Sequence, residues 1–268
     1  MSEAATRTAS ADAVLLREDA AGIATLILNR PKQYNALSEV LLTALQEQFD
    51  MIAKDESVRV VVLAGSGKAF CAGHDLKQMR ANPDRAYYQA LFGQCGHLMM
   101  TLIRLPQPVI AKVHGIATAA GCQLVAACDL AIASTEARFA TSGINVGLFC
   151  SVPGVPVARN VPRKPAMEML LTGDFISAER AAELGLINHA VPAESLDQTV
   201  SDLAKRIAQK PPVAVRLGKE LFYRQLELDV RAAYGAATDV MAANMMADDT
   251  CEGIDAFIEK RPPRWDNA

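Results

Sequence analysis

No apolar run in this sequence approaches the ~20 residues that a membrane-spanning helix requires. Val58–Leu63 and Leu124–Ala127 are too short, and Arg59 and Asp129 interrupt or flank them. Charge of one sign is also missing in excess: 27 Lys and Arg face 30 Asp and Glu, a net of −3, which gives no global attraction to nucleic acid. The four histidines (74, 97, 114, 189) show no HxxxH or HExxH spacing, so no metal site is expected. No two of the six cysteines (71, 95, 122, 128, 150, 251) form a CxxC pair. Most lie in apolar or small-residue stretches, as buried free thiols of a reducing cytosol do, so a cytoplasmic location is expected. Residues 1–12, MSEAATRTASAD, hold no apolar segment suited to a secretory signal and are expected to form a disordered tail.

What is present is a 268-residue chain with half its residues hydrophobic, long enough for a large core. Ala13–Leu16 and Ile23–Asn29 alternate like half-buried strands around a turn at Gly22. Asn29-Arg-Pro31 ends the second strand. Ser38 caps a helix with Leu41, Leu42, Leu45, Phe49 and Ile52 at helical spacing. Val58–Leu63 is a β-branched run typical of a strand covered on both faces. The strand–helix–strand pattern repeats: a helix over Tyr87–Leu105, a strand over Val109–Val113, a helix over Cys122–Ala127, then strands at Asp129–Ala133 and Arg138–Ala140. Thr141–Arg159, broken by glycine and proline, reads as an apolar loop. Helices follow at Pro165–Leu171 and Ala178–Leu184, the latter capped by Ser177 and ended by Gly185, then a strand at Leu186–Val191. Beyond Pro192 only helices are expected: Glu194–Lys210, Pro212–Gln225, Val230–Ala247 and Cys251–Lys260. This divides the chain into an α/β core over 13–192 and a helical region over 193–268 that packs on a neighbouring subunit.

Two loops stand out, Ala69–Leu76 (AFCAGHDL) and Gly115–Gly121 leading into the helix that reaches Ala127. Small side chains before a helix let a ligand approach the backbone, and the first helical turn leaves N–H donors free. Gly73 permits an unusual backbone angle that would aim the His74 N–H at the same point.

The segments NRPKQYNALS (29–38), VVVLAGSGKAFCAGHDL (60–76), PVIAKVHGIATAAGCQLVAACDLAIAS (108–134), GLFCSVPG (147–154), LTGDFISAERAAELGLINHAV (171–191) and FIEKRPP (257–263) together resemble the crotonase superfamily, the enoyl-CoA hydratase/isomerase proteins. GLFCSVPG followed by VPRK (161–164) is most similar to the enoyl-CoA hydratase domain-containing protein 3 subgroup. The resemblance implies a spiral of ββα turns with a C-terminal helical trimerisation region, assembled as trimers or hexamers. It implies an acyl-CoA thioester as ligand, with coenzyme A as part of the substrate and no other cofactor. The thioester oxygen would lie between the backbone N–H groups of His74 and Gly121, with the His74 ring at the solvent edge. Lys32, Phe257 and Lys260 match residues that hold the nucleotide, the last two often supplied by a neighbouring subunit. Ala72, Asp75, Leu76, Gln123, Gly143, Cys150 and Ser151 match positions that line the acyl group and its carrier.

One departure bears on the chemistry. The two glutamates of hydratases match Gln123 and Gly143, neither of which can move a proton as a carboxylate does. The nucleophilic aspartate of related hydrolases matches Ser151. A branch that lacks both glutamates, the methylmalonyl-CoA decarboxylase-like proteins, shares the AGHD loop and an Asn-x-Gly pattern like Asn145-Val-Gly147, although its active-site tyrosine matches Cys150. Asp75 is a helix cap or a replacement base, and Cys150 a low-pKa thiol in a helix dipole or an inert wall. Tyr87 and Tyr88 read as wall residues, and His97, His114 and Asp129 as structural groups.

Overall fold

A computed structural model of the chain describes residues 6–7 and 13–265. The strands are β1 (Thr6–Arg7), β2 (Leu15–Ala20), β3 (Ile23–Leu28), β4 (Val60–Gly65), β5 (Ala69–Cys71), β6 (Val109–Val113), β7 (Ile116–Thr118), β8 (Leu130–Ser134), β9 (Arg138–Ala140), β10 (Ile176–Ser177) and β11 (His189–Val191). The helices are α1 (Glu39–Ile52), α2 (Leu76–Ala81), α3 (Arg85–Arg104), α4 (Ala120–Ala127), α5 (Ser151–Asn160), α6 (Arg163–Thr172), α7 (Ala178–Glu183), α8 (Leu196–Ala208), α9 (Pro212–Gln225), α10 (Val230–Met245) and α11 (Asp248–Ile258).

A seven-stranded sheet runs β1-β2-β3-β4-β6-β8-β11, and a four-stranded sheet runs β10-β9-β7-β5. From β3 onward the large sheet is parallel, and so are β5, β7 and β9 in the small one. The chain therefore climbs as a spiral: β4 then β5, β6 then β7, β8 then β9, one strand to each sheet, with helices between turns. This is the ββα spiral of an α/β protein. Parallel pairing puts equivalent ends of successive turns side by side, so the β5 and β7 exits, Cys71 and Thr118, face the same end of the small sheet.

Local rules account for the elements. Ala21 and Gly22 take φ of 51° and 73°, the left-handed pair that closes the β2–β3 hairpin. The Ser38 hydroxyl accepts from the Leu41 N–H, Ser177 does the same for Arg180, and Gly185 at φ 81° lies just beyond α7. β4 is covered on both sides: Val61 and Leu63 join the main core, while Val60 and Val62 meet Leu196, Val200 and Ala204 of α8.

Helix α9 is fastened to this core at a buried ion pair. Lys219 of α9 reaches the Asp129 carboxylate at 2.7 Å and the carbonyls of Leu102 and Gln107 at 2.9 and 3.0 Å. Tyr223 donates to the other carboxylate oxygen at 2.9 Å, and the Val109 N–H donates to Asp129 at 2.7 Å. Asp129 is the structural acid expected of it.

Three expectations are corrected. Ala69–Leu76 is not a continuous loop but strand β5, a turn and the start of α2; likewise β7 lies inside Gly115–Gly121. Strands of three residues are too short to show a periodic signal. Thr141–Arg159 holds a 3-10 turn at Ser142–Val146 and helix α5 rather than a loop. Pro153 falls in the first turn of α5, where a missing N–H costs nothing, and Pro156 is carried inside it. Within the expected disordered tail, Thr6–Arg7 pairs with Glu18 and Asp19; the rest of 1–12 lies outside the described residues. Cys251, unlike the other five cysteines, is exposed.

Candidate functional site

The two turns singled out in the sequence are in contact. A β-carbon built on Gly121 would lie 2.1 Å from the Cys71 carbonyl oxygen, and one on Gly73 would lie 2.9 Å from the Ala119 β-carbon and 3.2 Å from the Ala120 nitrogen. Gly73 takes φ 91°, as its sequence setting suggested. Gly121 is glycine for a reason the sequence did not disclose: β5 passes directly over it. Ala119 carries φ 50° and ψ −119°, a region that an L-residue enters only under strain, of order 1–3 kcal/mol. That turn sends the chain from β7 into α4.

The amides at this junction are unspent. Leu37 N–H donates to the Gly73 carbonyl at 2.7 Å and Asp75 N–H to the Leu37 carbonyl at 3.3 Å, a parallel bridge centred on Leu37 and His74. Such a bridge leaves the N–H of His74 on the opposite side of its strand. Neither the His74 nor the Gly121 N–H donates to any described residue. The 29–38 segment holds this geometry in place. Asn35, fully buried, donates to the carbonyls of Ser66 and Ala69, both at 2.8 Å, and accepts from the Arg30 N–H. The Tyr34 carbonyl, presented by left-handed φ angles at residues 34 and 35, accepts from Ala72 N–H at 3.0 Å. Nothing local in the 29–38 segment signals this role for Asn35, whose partners lie 31 and 34 residues away.

The His74 ring is mostly buried rather than at a solvent edge, and lies edge-on to Phe92 at 5.5 Å. Its Nδ1 has no hydrogen-bond partner among the described residues. Burial lowers its pKa below 6.5, with the Leu37 carbonyl opposing in part. Asp75 caps α2. One carboxylate oxygen accepts from the N–H groups of Lys77 and Gln78, and the other pairs with Arg30 at 3.0 Å. Partial burial would raise its pKa, and Arg30 and the helix amides outweigh that and lower it. Leu76 is 52% exposed.

Gln123, 1% exposed, accepts the Cys95 thiol at 3.8 Å through Oε1. Gly143 is closed in: a β-carbon there would meet the Leu148 carbonyl oxygen at 2.5 Å and the Cys150 sulfur at 2.8 Å. The reading of Cys150 as a low-pKa thiol is corrected. Burial raises its pKa, outweighing the N–H of Gly143 beside it. Cys71, Cys95 and Cys122 are likewise pushed up to about 12 by burial. Ser151, the first residue of α5, is exposed. Positions 123 and 143 thus bring no carboxylate beside the Cys95 and Cys150 thiols.

Tyr87 donates to Glu39 at 3.2 Å and Tyr88 to the Met79 carbonyl at 3.1 Å, which fixes α3 against α1 and α2. His114 Nε2 lies 2.9 Å from the Gly67 carbonyl. Lys32 is exposed on the 3-10 turn Pro31–Gln33. Phe257, 85% exposed, and Lys260, at φ 56°, stand on the surface at the end of α11. Among the described residues neither shares a hydrogen bond or ring contact with Lys32 or the two turns. Two surface cavities of about 170 Å³, one beside Met169 and Arg180 and one beside His97 and Arg104, are lined by no residue of either turn.

Residues 18–268 match the family model described as enoyl-CoA hydratase/isomerase. Among relatives, the human "Enoyl-CoA hydratase domain-containing protein 3, mitochondrial" is 45% identical over 91% of this chain and 80% of its own length. The Xenopus laevis protein of the same name is 46% identical over 91% of this chain and 83% of its own. Among solved structures, an enoyl-CoA hydratase of Mycobacterium smegmatis superposes with a TM-score of 0.94 at 58% identity, covering 95% of this chain and 99% of that one. The human domain-containing protein 3 gives 0.92 at 43% identity, covering 94% and 100%. The expected cytoplasmic location is overturned by these names, since the frog and human relatives are both called mitochondrial. By sequence and by fold the chain belongs to the enoyl-CoA hydratase/isomerase family of the crotonase superfamily, within the enoyl-CoA hydratase domain-containing protein 3 subgroup.

Proposed function

We propose that the protein binds an acyl-CoA thioester and stabilises its enolate-like anion with the backbone N–H groups of His74 and Gly121, acting as a hydratase-type lyase. The observation that carries this reading is the pair of unspent amides on two segments packed within van der Waals contact. A preorganised donor of this kind typically lowers a barrier by ~2.7–4 kcal/mol, and it needs no titratable side chain. Lys32 would hold the nucleotide phosphates, with Ala72 and Leu76 beside the carrier, and Phe257 and Lys260 would come from a neighbouring copy. The exposed apolar side chains of α9, α10 and α11, among them Phe222, Tyr234, Met241, Met245 and Phe257, favour association into trimers or hexamers through this region.

A second reading, a decarboxylase of malonyl- or methylmalonyl-type thioesters, is favoured by the neutral Gln123 and the blocked Gly143. Loss of carbon dioxide needs a sink for the electron pair but no strong base.

The test compares butyryl-CoA with its thioether analogue S-butyl-CoA, which lacks the carbonyl, by calorimetric titration. The thioester should bind about tenfold tighter or more. Equal affinities overturn the amide site. Loss of enoyl absorbance with crotonyl-CoA supports the lyase, carbon dioxide release from malonyl-CoA supports the second reading, and tight binding without turnover makes the protein a thioester carrier.

A further inference from the structure

Most of the proton acceptors around the two turns are already engaged. The Asp75 carboxylate is divided between Arg30 and the amides of Lys77 and Gln78. The Glu39 carboxylate accepts from Tyr87 and from Gln78. Burial keeps the Cys71 and Cys95 thiols protonated, their pKa pushed up to about 12. The His74 ring is the exception. A neutral imidazole carries one N–H and one lone pair. The Leu37 carbonyl beside the ring favours the N–H. Nδ1 is buried and has no hydrogen-bond partner among the described residues. A buried polar atom left this way is rare unless a ligand or water is to meet it. The ring is also held in place. Phe92 meets it edge-on at 5.5 Å, and Tyr88 stacks on Phe92 at 6.3 Å with its hydroxyl donating to the Met79 carbonyl. Burial leaves the ring uncharged at neutral pH, the form that accepts a proton.

We propose that the His74 imidazole is the base of this site, taking a proton from C2 of the bound acyl group at Nδ1 and returning it there. This rests on the reading that the backbone N–H groups of His74 and Gly121 hold the thioester oxygen. C2 is bonded to the carbon that bears that oxygen, and the ring belongs to one of the two residues that donate to it. One residue thus meets the oxygen with its amide and the C2 proton with its side chain. In the step the C2–H bond breaks, its electron pair moves through the C1–C2 bond onto the thioester oxygen, and the proton passes to Nδ1. The reverse step returns the proton to C2 and re-forms the carbonyl, so nothing else is consumed. The Leu37 carbonyl, which favours the charged ring, supports the imidazolium while it lasts. The base then belongs to the β5–α2 turn, and positions 123 and 143, glutamine and glycine, need supply none.

Butyryl-CoA incubated in heavy water with the full-length protein tests this, with deuterium at C2 read by NMR and affinity by calorimetric titration. The wild type should exchange the C2 protons well above the rate in buffer alone. His74→Gln should slow that exchange about a hundredfold or more, as loss of a positioned base does. Its affinity for butyryl-CoA should stay within about threefold of wild type, because the backbone N–H remains. Imidazole added to His74→Ala should restore part of the exchange, which it would not do for a merely structural ring. A wild type that prefers butyryl-CoA to S-butyl-CoA yet exchanges nothing overturns the proposal and leaves the thioester site standing, as does full exchange in both variants. Equal affinity for the two analogues removes that site itself.

Discussion

The Cys71 carbonyl oxygen stands 2.1 Å from where a β-carbon on Gly121 would be. No real contact of that kind survives, so the end of β5 and the start of α4 meet only because residue 121 has no side chain. The proposed pair of backbone donors would depend on this closeness. Gly121→Ala should force the segments apart at a cost of about 1–3 kcal/mol or more, as overpacking against backbone does. A lowered thermal midpoint together with loss of thioester binding in the folded fraction would be the expected outcome. Unchanged binding would detach the contact from the site.

Gly143 sets a second steric condition. Gly143→Glu alone should lower stability by about 1–3 kcal/mol, because the Leu148 carbonyl and the Cys150 sulfur occupy its side-chain space. Adding Cys150→Gly should recover part of the loss, a coupling that thermal unfolding of the two single variants and the double variant measures. Combined with Gln123→Glu, the pair should bring hydration of crotonyl-CoA above background, whereas Gln123→Glu with Gly143→Glu should not.

Lys219 and Asp129 form a buried pair at 2.7 Å, their side chains 7% and 13% exposed. Lys219→Met should cost about 3–5 kcal/mol, since it strands the carboxylate beside Tyr223 and the Val109 N–H. Burial lowers the Lys219 pKa and raises that of Tyr223. Denaturant midpoints of Lys219→Met against Lys219→Met with Asp129→Asn would show the double variant regaining part of the loss.

The His74 ring, whose pKa is lowered from 6.5 by burial, predicts an acid-side loss of stability. Above pH 6.5 the ring is neutral in both states and its contribution is complete. As pH falls below that value the unfolded chain takes up the proton first, so stability declines until the lower folded pKa is reached. His74→Gln should flatten this part of the stability–pH curve, as urea unfolding at successive pH values would reveal.

Much of the fold could be read from the sequence because long elements declare their period. Helix α9 was placed at Pro212–Gln225, and the Ser38 and Ser177 caps were assigned from residue type alone. The small sheet was not legible, since β5, β7 and β9 have three residues each and their evidence is pairing across the spiral. The site divided along similar lines. Gly73, with its left-handed φ, announced itself. The roles of Asn35, Arg30 and Cys95 come from partners between 28 and 45 residues away, which no local pattern encodes. At Gly143 the residue type shows only the missing acid; the filling of its space by Cys150 is a tertiary contact that no local pattern encodes.

Residue 119 is the place in these turns where glycine would be most at ease, and the chain has alanine there instead. The methyl group rests against Gly73 and narrows the backbone's choices. A glycine would relax the kink and let the first turn of α4 wander. On the proposed reading, that tense corner would keep the amide donors aimed one way before any ligand arrives.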